Sequence, residues 1–187
     1  MKQRPPGKVR IIGGKWRGRK LPVANNSELR PTPDRVRETL FNWLQPVIEG
    51  SECLDLFAGT GVLGFEALSR GASHVCLVEQ NDAALRQLHD NIETLNAEGV
   101  DLDQSDGLAW LAGKDKQFDI VFIDPPFGKG LVEKSCEELI TQHCLKPGAL
   151  VYVETGADVR LPSGLETVRR KKAGQVQYML LKYSNED

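Results

Sequence analysis

The 187-residue sequence predicts an α/β fold: a mostly parallel, seven-stranded sheet with helices on both faces and an antiparallel C-terminal hairpin. Three observations carry this expectation. From residue 34 onward, short β-rich runs alternate five times with stretches of helical periodicity, the pattern of successive right-handed crossovers. A turn carrying Gly59, Gly61 and Gly64 follows the first of these runs and opens a helix, where a tight bend needs residues free to take positive φ. The last two β-rich runs, 166–172 and 176–183, are joined by Ala173-Gly174 with no helix between them, which reads as a hairpin with an antiparallel edge strand.

Taken in order, the elements are these. Asp34 is placed to cap a helix running through Gln45, with Val36, Leu40, Phe41 and Leu44 on one face. Residues 53–57 form a strand, and 62–69 a helix stopped by Gly71. Residues 75–78 form a strand closed by Glu79. Asp82 caps the next helix, whose buried face is Leu85, Leu88, Ile92 and Leu95. A weaker strand at 100–104 precedes a short helix at 107–111. Phe118–Ile123 is the most β-like run, ending at Asp124-Pro125-Pro126-Phe127. A helix at about 131–144 and a strand at 149–154 lead into the closing hairpin.

The length suits one domain, expected over 30–187, with a basic extension over 1–29. Net charge is only −2, but residues 1–37 hold eleven basic side chains against Glu28 and Asp34, a charge of +9 that leaves −11 for the remainder. Such asymmetry suits a polyanionic partner. A solvated basic tail is the plainer alternative. The interleaving of Val9, Ile11, Ile12, Trp16, Leu21 and Val23 with the charges, punctuated by Gly13-Gly14 and Gly18, favours a small twisted β-hairpin that presents Lys and Arg. Cys53, Cys76, Cys136 and Cys144 are scattered, and His74, His89 and His143 show no metal-ligand spacing, so neither a metal site nor thiol catalysis is expected. No apolar run approaches the roughly 20 residues that cross a bilayer, and no signal peptide is expected at Met1; a cytoplasmic protein follows.

In sheets of this kind ligands bind beyond the carboxyl ends of the strands, and the informative residues cluster there. Asp55-Leu-Phe57-Ala58-Gly59-Thr60-Gly61-Val-Leu-Gly64 satisfies G-x-G-x-x-G, and Glu79 ends the next strand, where a carboxylate can accept both hydroxyls of a ribose. A dinucleotide enzyme would show the same two features. Asp55 argues against one, because a carboxylate in the turn repels a pyrophosphate and suits the cationic amino group of a methionine moiety. Asp106 is placed either to meet an adenine amino group or simply to cap a helix. The deciding element is Asp124-Pro125-Pro126-Phe127. An aryl amine is a poor nucleophile because its lone pair is delocalised into the ring. Two acceptors on its N–H bonds favour the rehybridised, reactive geometry. The Asp124 carboxylate and the Pro125 carbonyl can supply them, the prolines stiffen the loop, and Phe127 can stack on a base turned out of its helix.

Together these elements resemble class I, Rossmann-like S-adenosylmethionine methyltransferases acting on amino groups. Upstream, Gly13-Gly14-Lys15-Trp16-Arg17-Gly18-Arg19-Lys20-Leu21 and Arg30-Pro-Thr32-Pro-Asp34-Arg35-Val-Arg37-Glu-Thr-Leu-Phe41-Asn42 narrow the likeness to the bacterial small-subunit ribosomal RNA guanine-N2 methyltransferase family (RsmD type). The likeness extends from about residue 8 to the C-terminal hairpin. It implies transfer of a methyl group from S-adenosylmethionine to guanine N2 in ribosomal RNA, on an assembled or assembling small subunit, by a monomer without a metal, leaving S-adenosylhomocysteine. It implies catalytic roles for Asp124, Pro125, Pro126 and Phe127. Cofactor contacts fall to Asp55, Phe57, Ala58, Gly59, Thr60, Gly61, Glu79, Gln80, Asn81, Asp106, Gly107 and Thr32. RNA contacts fall to Arg10, Lys15, Arg17, Arg19, Lys20, Arg30, Arg35 and Arg37. Arg169, Arg170, Lys171 and Lys172 either extend that surface or merely protect a strand edge. A nicotinamide oxidoreductase, a DNA adenine methyltransferase and a non-enzymatic RNA-binding assembly factor are the alternatives to this reading.

Overall fold

The structure is a computed structural model that describes residues 7–24, 32–126, 130–156 and 158–184. Its elements in chain order are β1 (Lys8–Arg10), a 3-10 turn (Gly14–Trp16), β2 (Lys20–Pro22), α1 (Asp34–Leu44), β3 (Glu52–Asp55), α2 (Val62–Ser69), β4 (His74–Glu79), α3 (Asp82–Leu95), β5 (Val100–Gln104), α4 (Gly107–Leu111), β6 (Phe118–Ile123), α5 (Leu131–Thr141), β7 (Leu145–Thr155), β8 (Leu165–Ala173) and β9 (Val176–Tyr183). The seven-stranded sheet runs β5-β4-β3-β6-β7-β9-β8, while β1 and β2 form a separate antiparallel pair. Strands β3 to β7 are parallel; β9 is antiparallel to both β7 and β8. The antiparallel strand is therefore one place in from the edge, not at it as the sequence suggests. The tight β8–β9 turn makes these two strands neighbours, and it is β9 that pairs with β7, leaving β8 in the outer position.

Alternation along each strand divides the core into two layers. Cys53, Ile120, Phe122 and Tyr152 point to a layer with α1, α2 and α3, whereas Leu54, Val121, Ile123 and Val151 point to a layer with α4 and α5. Because both faces are covered, the central strands carry continuous apolar runs. Val9, Ile11, Trp16, Leu21 and Val23 belong to the first layer, so the basic hairpin shares its core with the sheet.

Two helix starts differ from the sequence expectation. Pro33, not Asp34, is the residue before α1, and the Asp34 carboxylate reaches instead to Arg37 (2.5 Å) and Arg10 (2.9 Å). Asn81, not Asp82, caps α3, accepting from the amides of Ala83 and Ala84 at 3.0 Å each. In both cases the residue one position earlier has the extended backbone a cap requires. The fifth parallel strand is longer than expected, starting at Leu145, and the preceding helix stops at Thr141.

Helix α2 is buried along all eight of its residues because the sheet covers one side and the hairpin the other. That enclosure traps Glu66, which has no solvent exposure. Its carboxylate accepts from the amides of Ile12 (2.9 Å) and Gly13 (2.7 Å), from Arg70 Nε (2.8 Å) and from Arg37 Nη1 (3.3 Å). Further along the same helix, the Ser69 hydroxyl accepts from the Trp16 amide and donates to the Gly13 carbonyl. Gly14, at φ +74, passes so close to the Ser69 carbonyl that no Cβ fits there. Glu66→Ala leaves two hairpin amides unpaired in the interior and takes from the buried Arg37 guanidinium one of its carboxylate partners, and loss of one partner of a buried pair costs roughly 3–5 kcal/mol. Urea unfolding should show a loss of that size for Glu66→Ala, whereas a loss under about 1 kcal/mol would refute this account of the docked hairpin.

Candidate active site

The sheet order splits between β3 and β6: from β3 the chain proceeds outward to β4 and β5, then returns to β6 and proceeds the other way. A crevice forms where the crossovers diverge. Asp55 ends β3 opposite Phe122 of β6, and Asp124 follows β6 directly. The two acids come from neighbouring strands although they are far apart in sequence.

Around the glycine turn, Gly59 and Gly61 take left-handed backbone angles (φ 52° and 72°), and Gly61 is packed so closely against Leu88 and Phe65 that no Cβ fits there. Glu79 locks the turn to β4: its Oε2 accepts from the Gly59 amide (2.8 Å), and its Oε1 from the Asn81 amide (2.7 Å). Asp55 is 2% exposed and accepts from the Gly64 amide at 3.2 Å. Burial, weakened by that hydrogen bond and reinforced by the nearby Glu79 charge, pushes its carboxyl up to about 7. Asp106 caps α4 through the Ala109 amide (3.0 Å) and stays exposed. Behind it Gly107 lies against the Leu56 carbonyl and the Phe57 ring, which brings the β5–α4 junction up to the β3 turn. Phe57 is half-buried, Ala58 and Thr60 are buried, and Gln80 and Asn81 lie at the rim, Asn81 exposed. The Asn81 side-chain oxygen is already engaged in capping.

On the other side of the split, Pro125 is buried and Pro126 exposed; Phe127 lies outside the described residues. Thr32, just before α1, sits over Asp124. Its hydroxyl is 3.3 Å from Asp124 Oδ2 and 2.9 Å from Oε1 of Glu154, which in turn accepts from the Tyr152 phenol at 2.7 Å. Burial first, then the charges of Glu154 and Asp55, hold the Asp124 carboxyl well above its ordinary range, against the Thr32 hydrogen bond. Burial likewise raises Glu154. Sequence reasoning misses Tyr152 and Glu154. The available signal is an acid at the carboxyl end of a parallel strand, the same signal that singles out Glu79.

A protein-family profile described as "Conserved hypothetical protein 95" matches residues 9–182. The chain belongs to this family. It is 49% identical over 177 residues to "Ribosomal RNA small subunit methyltransferase D" of Escherichia coli strain K12, covering 93% of this chain and 89% of that protein. The protein of the same name from Haemophilus influenzae is 49% identical over 180 residues, covering 93% of each chain. A solved structure described as "Putative methyltransferase yhhF from Escherichia coli" superposes with a TM-score of 0.89 at 48% identity, covering 95% of this chain and 99% of that one. The chain is a methyltransferase with a Rossmann-like fold.

The basic residues that the sequence assigns to RNA fall into four groups. Lys15, Arg17, Lys20 and Arg35 are exposed; Arg10 is exposed but paired with Asp34, and Arg19 donates to the Thr94 carbonyl (3.1 Å), tying the hairpin to α3. Arg30 lies outside the described residues. Arg37 corrects the sequence expectation. It is 1% exposed, its guanidinium donating to the carbonyls of Thr32 (3.1 Å) and Arg10 (2.8 Å) and to Asp34 and Glu66, so it cannot meet a phosphate. At the edge of the sheet, Lys171 pairs in register with Tyr178 and reaches over the Trp43 ring, which stacks on Tyr178 at 5.7 Å. Strand pairing also gathers His74, Cys76 and Asp101, which linear spacing does not reveal; the Lys116 ammonium stands 3.7 Å from Asp101 and 3.5 Å from the Cys76 sulfur. Among the described residues no helix is long and apolar enough to cross a membrane.

The raised carboxyl of Asp55 sets a pH dependence. The unfolded chain ionises near 3.8 and the folded protein near 7, so this group's contribution to stability is complete below about pH 4 and is lost as pH rises towards 7. Asp55→Asn should flatten that decline and be more stable than the parent at pH 7 by a few kcal/mol, since each tenfold change in proton affinity is worth about 1.4 kcal/mol. Asp124 and Glu154 add slopes of the same sign, so the flattening is partial. Urea midpoints of both proteins at about pH 4.5 and pH 7.5 check this; parallel declines would overturn it.

Proposed function

We propose that this methyltransferase uses S-adenosylmethionine to methylate the exocyclic N2 of a guanine in small-subunit ribosomal RNA, on an assembled or assembling subunit in the cytoplasm, as a monomer and without a metal. The observation that supports it most is the meeting of Asp55 and Asp124 at the sheet's split, one beside a glycine turn and the other in an Asp-Pro-Pro loop.

The site's chemistry fits the cofactor. Asp55 is a buried carboxylate in a position where a cationic amino group would relieve the cost of its ionisation. Glu79, fixed by two backbone amides, retains lone pairs for ribose hydroxyls, and the left-handed, partly exposed Gly59 lets a ligand approach the backbone. Exposed Asp106 and buried Gly107 stand where an adenine ring would lie against Phe57. When bound, the cofactor supplies an electrophilic methyl on a sulfonium. The protein's part is to orient the nucleophile. Asp124 and the Pro125 carbonyl accept the two N–H bonds of the target amine and turn its lone pair towards the methyl, while Phe127 stacks on the extruded base. No covalent intermediate on the enzyme is needed.

For the RNA, the exposed Lys15, Arg17, Lys20 and Arg35 form a track for phosphates on the layer that also holds α1, with Arg10 and Arg19 beside it. Lys171 and the Trp43–Tyr178 stack stand on the same face of the sheet, since Tyr178 pairs with Glu154 as well as Lys171. The names of the relatives support ribosomal RNA as the substrate class; the guanine amine is the reading of the Asp-Pro-Pro-Phe loop and of the family likeness.

Asp124→Ala should abolish methylation of small subunits taken from cells lacking the protein, while calorimetry with S-adenosylhomocysteine shows near-parental affinity. Turnover within a few-fold of the parent would defeat the assignment. Mass mapping of ribosomal RNA from such cells should reveal one guanine short of a methyl group. Replacing each of Lys15, Arg17, Lys20 and Arg35 by Ala should reduce the log–log salt slope of RNA binding by about 0.7 per residue that touches single-stranded phosphate, and an unchanged slope in the fourfold variant would remove the track.

A further inference from the structure

Methylation of an amine leaves a proton to be disposed of, and Asp124 is the group placed against that amine. The structure holds a second acceptor behind it. We propose that Glu154 is a positioning residue of this site that, through the Thr32 hydroxyl, takes up the proton Asp124 removes in the reaction and so returns Asp124 to its carboxylate form. The proposal rests on the methyl-transfer reading above and adds to it a route for the proton.

The geometry carries it. Thr32 Oγ1 lies between the two carboxylates, 2.9 Å from Glu154 Oε1 and 3.3 Å from Asp124 Oδ2. A hydroxyl has one proton to donate and lone pairs with which to accept. When it donates to Glu154 it can accept only from a protonated Asp124; when it donates to Asp124 it faces a protonated or competing Glu154. The three groups therefore form a line along which one proton can shift by reversing two hydrogen bonds. Thr32 is 4% exposed and Glu154 6%, so the inner part of the line is shielded from water, while Asp124 is half-buried at its outer end. Two of the three groups are tied down from outside the line. Arg37 Nε holds the Thr32 carbonyl at 3.1 Å, and the Tyr152 phenol donates to Glu154 at 2.7 Å.

Groups from every element around this line face it. Asp55 on β3 and Glu154 on β7 face Asp124, and both charges oppose its ionisation. The Tyr152 phenol and the Thr32 hydroxyl face Glu154 and stabilise its anion, with burial opposing them; Tyr178 on β9 lies across from Glu154 and acts on Tyr152. Arg37 on α1 reaches the far side of Thr32. An ionised Asp124 is the stronger acceptor for the target N–H.

In the transfer itself, the nitrogen lone pair forms the new N–C bond while the C–S bonding pair stays with sulfur, and the nitrogen becomes a cation carrying two protons. Asp124 removes one, returning the N–H pair to nitrogen. With Glu154 a carboxylate at the outset, the Asp124 carboxyl gives its proton to the Thr32 oxygen as Thr32 passes its own to Glu154. Asp124 is again a carboxylate, and Glu154 releases its proton to solvent when product leaves.

The test is the pH profile of single-turnover methylation of small subunits from deficient cells, for the full-length parent, Glu154→Gln, Thr32→Val and Thr32→Ser. Asp124→Asn serves as the control, and S-adenosylhomocysteine affinity and melting temperature are measured throughout. Glu154→Gln keeps both hydrogen bonds but removes a neighbouring charge, so the acid limb set by Asp124 should move to lower pH. Thr32→Val removes the hydrogen bond that favours ionised Asp124, so the limb should move to higher pH. Both should lose at least tenfold in plateau rate with cofactor affinity retained, and Thr32→Ser should restore limb and rate. A merely structural role would lower the plateau and leave the limb where it is. Limbs that coincide with the parent's, with Asp124→Asn inactive, overturn the relay and leave the methyl-transfer site intact. An active Asp124→Asn would instead bring down the site itself. If Thr32→Val does not fold, the Glu154→Gln limb decides alone.

Discussion

One buried ion pair holds the working parts of this protein in register. Glu66, enclosed on α2, meets the Arg37 guanidinium from α1 and two amides from the basic hairpin. Arg37 in turn grips the Thr32 carbonyl, and Thr32 touches both Asp124 and Glu154. Without the pair, the hairpin would keep its apolar packing and the hydrogen bonds of Ser69, Arg10 and Arg19, but α1 and the hairpin would lose the buried charge that ties them to α2. Hydrogen bonds to a desolvated carboxylate are directional and short, so they fix orientation.

The same network couples the proposed RNA-gripping surface to the chemistry. The exposed hairpin cations and the buried Glu66 contacts belong to a single short segment, whose apolar residues lie in the core. RNA bound there would press on a segment already tied to Thr32. The site itself is built from carboxylates that burial makes reluctant to ionise: Asp55, Asp124 and Glu154 all sit above their ordinary range. A sulfonium and an ammonium entering that cluster are welcome because they relieve the repulsion, which is a physical reason for a cationic methyl donor to bind where a pyrophosphate would not.

Much of this is legible in the sequence, for physical reasons. The parallel strands read clearly because burial on both faces leaves uninterrupted apolar runs, as in Phe118–Ile123. The glycine turn, Asp55, Glu79 and Asp124 read clearly because each stands at or directly after a strand end, where an α/β sheet places its ligands. What the sequence hides is anything that depends on which strands become neighbours. Arg37 looks like one more cation in a basic block, and only the enclosure of α2 by sheet and hairpin turns it into an interior residue. Glu154 looks like a strand end until β7 is seen to lie beside β6, carrying it to Thr32.

Sequence alone thus determined the alternating architecture, the crevice-lining motifs and the lopsided charge, because these follow from local periodicity, from backbone freedom at glycine and from the count of ionisable groups. Tertiary structure alone decided that β9 lies inside the edge, that the hairpin shares the core, and that a threonine hydroxyl joins two acids from adjacent strands. Such pairings are contacts between distant segments. Their energies come from desolvation and hydrogen-bond geometry, which exist only once the strands have been ordered.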